Sequence, residues 1–125
     1  PALLGLSYLP ALIICFFLTD LIIGFHSVTF FTWGSVILIG FLSQFFKVNI
    51  MNRISGSLLG ACLFFIITNF GVWSLGSYGY SINGLISCYI AAIPFFSYTI
   101  ISTLFFSLTI EFFYMLILKY KKTTY

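Results

Sequence analysis

The number of helices depends on one stretch, Asn83 to Phe96, which reads NGLISCYIAAIPFF. This stretch is short for a membrane span, and Pro94 is expected to end or kink a helix because proline has no backbone N–H to donate. The residues that follow, Ile100 to Leu118, form an apolar run long enough to cross a bilayer. We therefore predict two separate helices here, called D and E, with backbone carbonyls freed near Ala91 and Ala92.

The rest of the chain is as apolar as this stretch. Of its 125 residues, 62% are hydrophobic and 6% are charged, and the mean hydropathy is +1.19, whereas soluble domains carry about 25% charged residues. Apolar runs near the length of a span, divided by short polar breaks, predict an all-α, polytopic transmembrane bundle. Since no segment is left for a soluble domain, residues 1–125 are expected to form a single transmembrane domain.

Three further helices are predicted upstream. Helix A begins at Pro10 and ends between Gly24 and Ser27, helix B runs from Thr29 to Phe46, and helix C runs from Ser55 to Trp73. The first ten residues, PALLGLSYLP, contain neither an initiator Met nor the basic start and cleavage site of a signal peptide. We therefore expect an N-terminal helix to be missing upstream of helix A.

Two topologies remain open from the residues alone. The five basic residues lie in the loop between helices B and C and in the tail: Lys47, Arg53, Lys119, Lys121 and Lys122. With five spans, the loop and the tail face opposite sides. If residues 83–96 fold as a re-entrant hairpin, four spans remain and all basic residues share one side, as the positive-inside bias favours. The roughly 17 residues from Tyr80 to Phe96 still permit a fifth span in a thin bilayer.

Polar residues inside the apolar runs are the candidates for a functional site. Asp20 and Glu111 are the only acids, and an ionised carboxylate at such a position costs at least a few kcal/mol. In a five-span chain, counting back from the helix ends places Asp20, Asn69 and Glu111 within about 5 Å of one level. This polar layer has two interpretations: a substrate or ion site, with Trp73 and Tyr89 as stacking or lid residues, or a set of interhelical hydrogen bonds.

Small residues recur at intervals of four on two of the predicted helices. Gly56 and Gly60 form one such pair on helix C, and Gly84, Cys88 and Ala92 form a series on helix D. Faces of this kind allow close contact between membrane helices. We expect them to serve packing within the chain, with packing against another subunit as the alternative.

Several function classes have no support in the sequence. There is no Ser/His/Asp arrangement in register, no glycine-rich phosphate loop and no metal-binding spacing, so we predict no catalytic residue, no metal, no cofactor and no enzyme activity. The net charge of +3 comes from too few residues to form the basic stripe that nucleic-acid binding needs. The expected partners are the lipid bilayer, a small-molecule ligand and other membrane subunits.

Three segments together resemble an uncharacterised family of small bacterial integral membrane proteins: DLIIGFH (Asp20 to His26), TNFGVW (Thr68 to Trp73) and GLISCYIAAIPFF (Gly84 to Phe96). The likeness covers most of the chain, although Ser102 and Thr103 stand where the family pattern has a Gly-Asp pair. That family is similar in helix count and order to the substrate-binding components of energy-coupling factor (ECF) vitamin transporters, which have six helices.

The resemblance implies five spans here, with helix A as the second of six and the tail in the cytoplasm. It also implies a small-molecule binding or transport subunit of the bacterial inner membrane. On these grounds we predict five spans and a subunit similar to an ECF substrate component. The alternative function is an accessory or structural subunit that packs against a larger membrane complex through its small-residue faces.

Overall fold

The computed structural model describes residues 6–47 and 49–123, which form helices joined by short turns. A 3-10 turn, Leu6–Tyr8, leads into α1 (Leu9–Ile23). The next helix, α2 (Thr29–Leu42), continues into a second 3-10 turn, Ser43–Phe46. Two longer helices follow, α3 (Ile50–Ser74) and α4 (Ile82–Thr123). Within the described ranges there is no strand, so the prediction of an all-α protein is confirmed. Four of the described helical segments are long and apolar enough to cross a membrane. The prediction of five spans is therefore wrong.

The difference lies in α4, which continues through Pro94 without a break. Its 42 residues correspond to about 63 Å of helix at 1.5 Å per residue, roughly twice the thickness of the hydrocarbon core of a bilayer. The predicted helices D and E are thus one helix, and residues 83–96 do not form a re-entrant hairpin. Apolar membrane helices tolerate proline in their interior. The missing N–H of Pro94 affects the carbonyl of Ile90, four residues earlier, rather than those of Ala91 and Ala92.

The turns between the helices depend on capping and on glycine. The α3 helix begins five residues before its predicted start because Asn49 caps it, with the side-chain oxygen accepting a hydrogen bond of 2.8 Å from the Asn52 N–H. Gly76 and Gly79, between α3 and α4, have φ angles of 85° and 76°, which favour glycine. This turn reverses the chain, so that α4 runs antiparallel to α3.

The four helices form a row in which each packs mainly against its neighbour in the sequence. Small residues allow these contacts. A Cβ placed on Gly71 would lie 2.5 Å from the Phe31 ring, and one on Gly56 would lie 2.6 Å from the Phe46 ring. Gly60 faces Ile39 in the same way, at 3.0 Å. The Gly56 and Gly60 face of α3 therefore packs against α2 and its 3-10 extension, within the chain.

The small residues of α4 also make contacts within the chain. Gly84 is buried against the backbone carbonyls of Tyr78 and Gly79, where a Cβ would clash. Cys88 is 2% exposed, and its Sγ lies 3.4 Å from the Asn69 carbonyl of α3. The expectation of packing within the chain agrees with these contacts at both positions.

The row has two ends, which are named here by their polar residues. The Asp20 end comprises the ends of α1 and α3 and the starts of α2 and α4. The Arg53 end comprises Ser43–Phe46, the start of α3 and the part of α4 from about Ser107 onward. Buried side chains along the row are mostly small or polar, whereas large apolar side chains cover its outside. This distribution is the one that a lipid environment favours.

Candidate functional site

An ion pair links α3 to α4 at the Arg53 end. The Nε of Arg53 donates to one carboxylate oxygen of Glu111 at 2.5 Å, and its Nη2 donates to the other oxygen at 2.7 Å. The two side chains are only 13% and 6% exposed. Nη1 donates to the Lys47 carbonyl at 3.1 Å, and the guanidinium lies 5.8 Å from the centre of the Tyr114 ring. This bidentate geometry is the strong form of an arginine–carboxylate contact.

A pocket of about 540 Å³ lies beside this ion pair, between the end of α2, the start of α3 and the later part of α4. Its apolar walls come from all three elements: Ile39, Phe46, Ile54, Ile110, Phe113 and Ile117. Its polar groups are the ion pair and four hydroxyls: Ser43, Ser57, Ser107 and Tyr114. A largely apolar cavity of a few hundred Å³ with few polar groups has the usual form of a small-molecule site.

Two of the four hydroxyls already have a hydrogen-bond partner, and the other two have none in the described part of the chain. Ser43 donates to the Gly40 carbonyl at 2.6 Å, and Ser57 donates to the Arg53 carbonyl at 3.0 Å. The hydroxyls of Ser107 and Tyr114 have no hydrogen-bond partner among the described residues. These two groups are available to a molecule in the pocket, because each can donate and accept a hydrogen bond.

A smaller pocket, of about 240 Å³, lies further along the same α3–α4 groove and includes Asn69. The Asn69 side-chain amide donates to the Phe65 carbonyl at 2.8 Å. The hydroxyls of Thr68 and Thr99 likewise donate to carbonyls one turn earlier in their own helices. Four phenylalanines form much of the lining, and both threonine hydroxyls and one N–H of Asn69 already donate within their own helices. This pocket also has no charged residue among its lining residues, in contrast to the larger one.

Asp20 lies between α1 and α2, away from both pockets. It is 8% exposed, and one of its carboxylate oxygens accepts a hydrogen bond of 2.7 Å from the Trp33 indole. The Phe17 ring meets the Trp33 ring edge-on, with centroids 6.1 Å apart. Asp20 therefore has a hydrogen-bonding role between the first two helices. Trp33 was not singled out in the sequence, because nothing there indicated that it would lie opposite this acid.

Trp73 and Tyr89, the predicted stacking or lid residues, hold α3 against α4. The Trp73 indole donates to the Ser81 carbonyl at 3.2 Å, which closes the turn between the two helices. The Tyr89 hydroxyl donates to the Ile66 carbonyl at 2.8 Å, and its ring meets the Phe65 ring with centroids 5.6 Å apart. Neither residue lines either of the two pockets.

The predicted polar layer does not form. Asp20 and Asn69 lie toward the Asp20 end, whereas Glu111 is bonded to Arg53 at the other end. On α3, Arg53 and Asn69 are 16 residues apart in sequence, or about 24 Å along the helix. The error follows from the fifth span, because an unbroken α4 carries Glu111 to the opposite side. The prediction that these residues bind a substrate stays a prediction.

The sequence pointed to Glu111 but not to its partner. Arg53 is the only arginine in the chain, and a four-span topology would have placed it on the same side as this acid. Among residues 6–47 and 49–123, no three His, Cys, Asp or Glu residues come together in a group that could hold a metal ion. His26 is engaged locally, with its Nδ1 lying 2.6 Å from the Thr29 hydroxyl.

The chain was also compared with known proteins. No curated protein and no solved structure gives a match. A model of a family of unknown function, DUF6580, matches residues 6–124, nearly the whole chain. This match agrees with the resemblance to an uncharacterised family and adds no activity to it. The chain therefore belongs to the DUF6580 family.

Proposed function

We propose that this protein is a four-span subunit of the bacterial plasma membrane that binds a small molecule in the pocket beside Arg53 and Glu111, as part of a transport system. The observation that carries the proposal is the pocket itself, about 540 Å³ in volume and largely apolar, with a buried ion pair at one side. The resemblance to ECF substrate components favours transport over other uses of a bound molecule.

The orientation proposed here follows from the four-helix topology. Because α4 crosses once in this proposal, Lys47 and the first turn of α3 with Arg53 lie on the same side as the C-terminal lysines. The positive-inside bias then places this Arg53 end in the cytoplasm. The earlier expectation that the loop faces outward depended on five spans. The pocket in this orientation opens near the cytoplasmic leaflet.

The test is native mass spectrometry of the protein released from nanodiscs or gentle detergent. Ile110 lines the pocket and is 54% exposed, whereas Leu108, two residues away on α4, is 55% exposed and lies outside it. Ile110→Trp should narrow the pocket and reduce the amount of a co-purified molecule, and Leu108→Trp should leave that molecule bound. A wild-type protein without any bound small molecule, or equal loss in both variants, would contradict the proposal.

The alternative, an accessory subunit of a larger complex, is favoured by the length of α4. The residues after Glu111 extend about 18 Å beyond the ion pair, and they expose large apolar side chains such as Phe112, Met115 and Leu116. Because the small residues Gly56, Gly60, Gly84 and Cys88 make contacts within the chain, this exposed segment is the surface we propose for a partner. A stoichiometric protein partner in the native mass spectrum, with no small molecule, would support the accessory role.

A further inference from the structure

We propose that the pocket beside Arg53 and Glu111 accepts an amphiphile without charged groups, an apolar molecule with a hydroxyl or carbonyl group, in preference to an anion, a cation or a zwitterionic lipid. This inference rests on the proposed function, since it names the ligand class of the same pocket. Three features of the pocket favour such a ligand: its balanced charge, its free hydroxyls and its apolar walls.

The charges of the pocket already neutralise each other. Arg53 uses two nitrogens on the two oxygens of Glu111 and a third on the Lys47 carbonyl. A ligand carboxylate or phosphate would have to compete with Glu111 for the same guanidinium, and an ammonium group would have to compete with Arg53. Each would also lose its own hydration on entering a largely apolar site. The pocket therefore offers no uncompensated charge to an anionic or a cationic ligand.

The hydrogen-bonding capacity that remains suits a neutral group. Ser107 lies four residues before Glu111, and Tyr114 lies three residues after it, so the three side chains share one face of α4. Both residues line the pocket, and neither hydroxyl has a hydrogen-bond partner among the described residues. A ligand hydroxyl can bond to either of them as donor or acceptor, and a ligand carbonyl can accept from either.

The apolar walls of the pocket favour a ligand with an apolar body. Isoleucines from α2, α3 and α4 line the cavity: Ile39, Ile54, Ile110 and Ile117. An occupant would therefore contact hydrocarbon side chains from all three helices. Transfer of apolar surface into such a site is favourable. The ligand that satisfies all three features has an apolar body and one or two uncharged polar groups near α4.

The experiment uses three photoreactive probes, each with a diazirine in its alkyl chain, on the protein in nanodiscs. The probes are a twelve-carbon alcohol, the matching carboxylic acid and a phosphatidylcholine. The alcohol is expected to form adducts on peptides that contain Ile54 or Ile110, and to do so more than the acid. The double variant Ser107→Ala/Tyr114→Phe should reduce alcohol labelling about tenfold, as expected for the loss of two hydrogen bonds.

The control is Ser97→Ala, which removes an α4 hydroxyl that lies outside both pockets and bonds to the Ile93 carbonyl. It should leave alcohol labelling unchanged. As a second readout, Glu111→Gln should raise acid labelling relative to alcohol labelling, because it leaves the charge of Arg53 uncompensated. If Glu111→Gln does not fold, alcohol labelling of the double variant Ser107→Ala/Tyr114→Phe is sufficient to test the inference.

Three results would overturn the inference. The first is acid labelling equal to or above alcohol labelling in the wild type. The second is labelling by the phosphatidylcholine probe alone, which would mean that a bilayer acyl chain fills the cavity. The third is an absence of pocket adducts with the alcohol. Native mass spectrometry could also detect a charged molecule that Ile110→Trp displaces. That result would contradict this inference and would still support the proposed function.

Discussion

Breaking the ion pair between Arg53 and Glu111 should destabilise the protein strongly. Glu111→Gln removes the carboxylate and leaves the guanidinium in a site where its side chain is 13% exposed. Two unit charges about 4 Å apart attract by about 4 kcal/mol at an effective dielectric constant of about 20. Removal of one partner from a buried pair generally costs about 3–5 kcal/mol. Because the Arg53 side chain keeps 13% of its surface exposed, we expect the lower value, about 3 kcal/mol.

The measurement is the free energy of unfolding in bicelles, obtained by steric trapping for the wild type and each variant. Arg53→Met should cost a similar amount to Glu111→Gln, because it leaves the carboxylate without its two donors. The double variant Arg53→Met/Glu111→Gln should cost clearly less than the sum of the two single variants, since both changes remove one shared interaction. Lys47→Met is the control. It removes a neighbouring cation whose side chain is exposed, and it should change the free energy by less than about 0.5 kcal/mol.

Two outcomes would refute this reasoning. If each single variant cost less than about 1 kcal/mol, the pair would behave as a surface salt bridge in water. If the costs of the two single variants added up in the double variant, the two residues would be independent. In either case the ion pair would not be the buried wall of a pocket, and the charge argument for a neutral ligand would lose its basis.

Two further predictions concern topology and packing. Reporter fusions after Lys47, between α2 and α3, and after Tyr125 should report the same side of the membrane, and opposite sides would contradict the four-span topology. Gly71→Leu should lower the free energy of unfolding by about 1–3 kcal/mol through overpacking against Phe31, whereas Gly34→Leu, where a Cβ meets nothing within 4 Å, should change it little. Equal effects of the two substitutions would show that the packing of α3 against α2 is not as described.

The first three helices were predictable because each apolar run ends at polar or glycine residues. Helix A was expected from Pro10 and is observed from Leu9, and helix B was expected from Thr29, where α2 begins. The structure begins α3 at Ile50 rather than at the predicted Ser55, because the Asn49 side chain caps the helix within the predicted loop. These boundaries depend on local sequence, which explains why the errors are a few residues.

The fourth helix could not be predicted from its local signals. Pro94 indicated a break, but both flanks are strongly apolar and continue as helix on either side. In a bilayer the cost of breaking a helix is high, because exposed backbone groups have no water to bond. One lost hydrogen bond at Pro94 is therefore a smaller penalty than a turn would be. Ser107 and Tyr114 could not be predicted as site residues for a related reason. They share one face of α4 with Glu111, and that face is recognised as part of a pocket only once Glu111 is known to pair with Arg53.

The candidate site exists only if α4 is continuous, so the site depends on the four-span topology. An unbroken α4 carries Glu111 from the Asp20 end across to the first turn of α3, where it meets Arg53. A break at Pro94 with a fifth span would return Glu111 to the Asp20 end, some 24 Å from Arg53 along α3. Neither the ion pair nor the pocket between α2, α3 and α4 could then exist. Because the topology decides whether Arg53 and Glu111 can meet, a reporter experiment that placed the two basic segments on opposite sides would remove the candidate site itself.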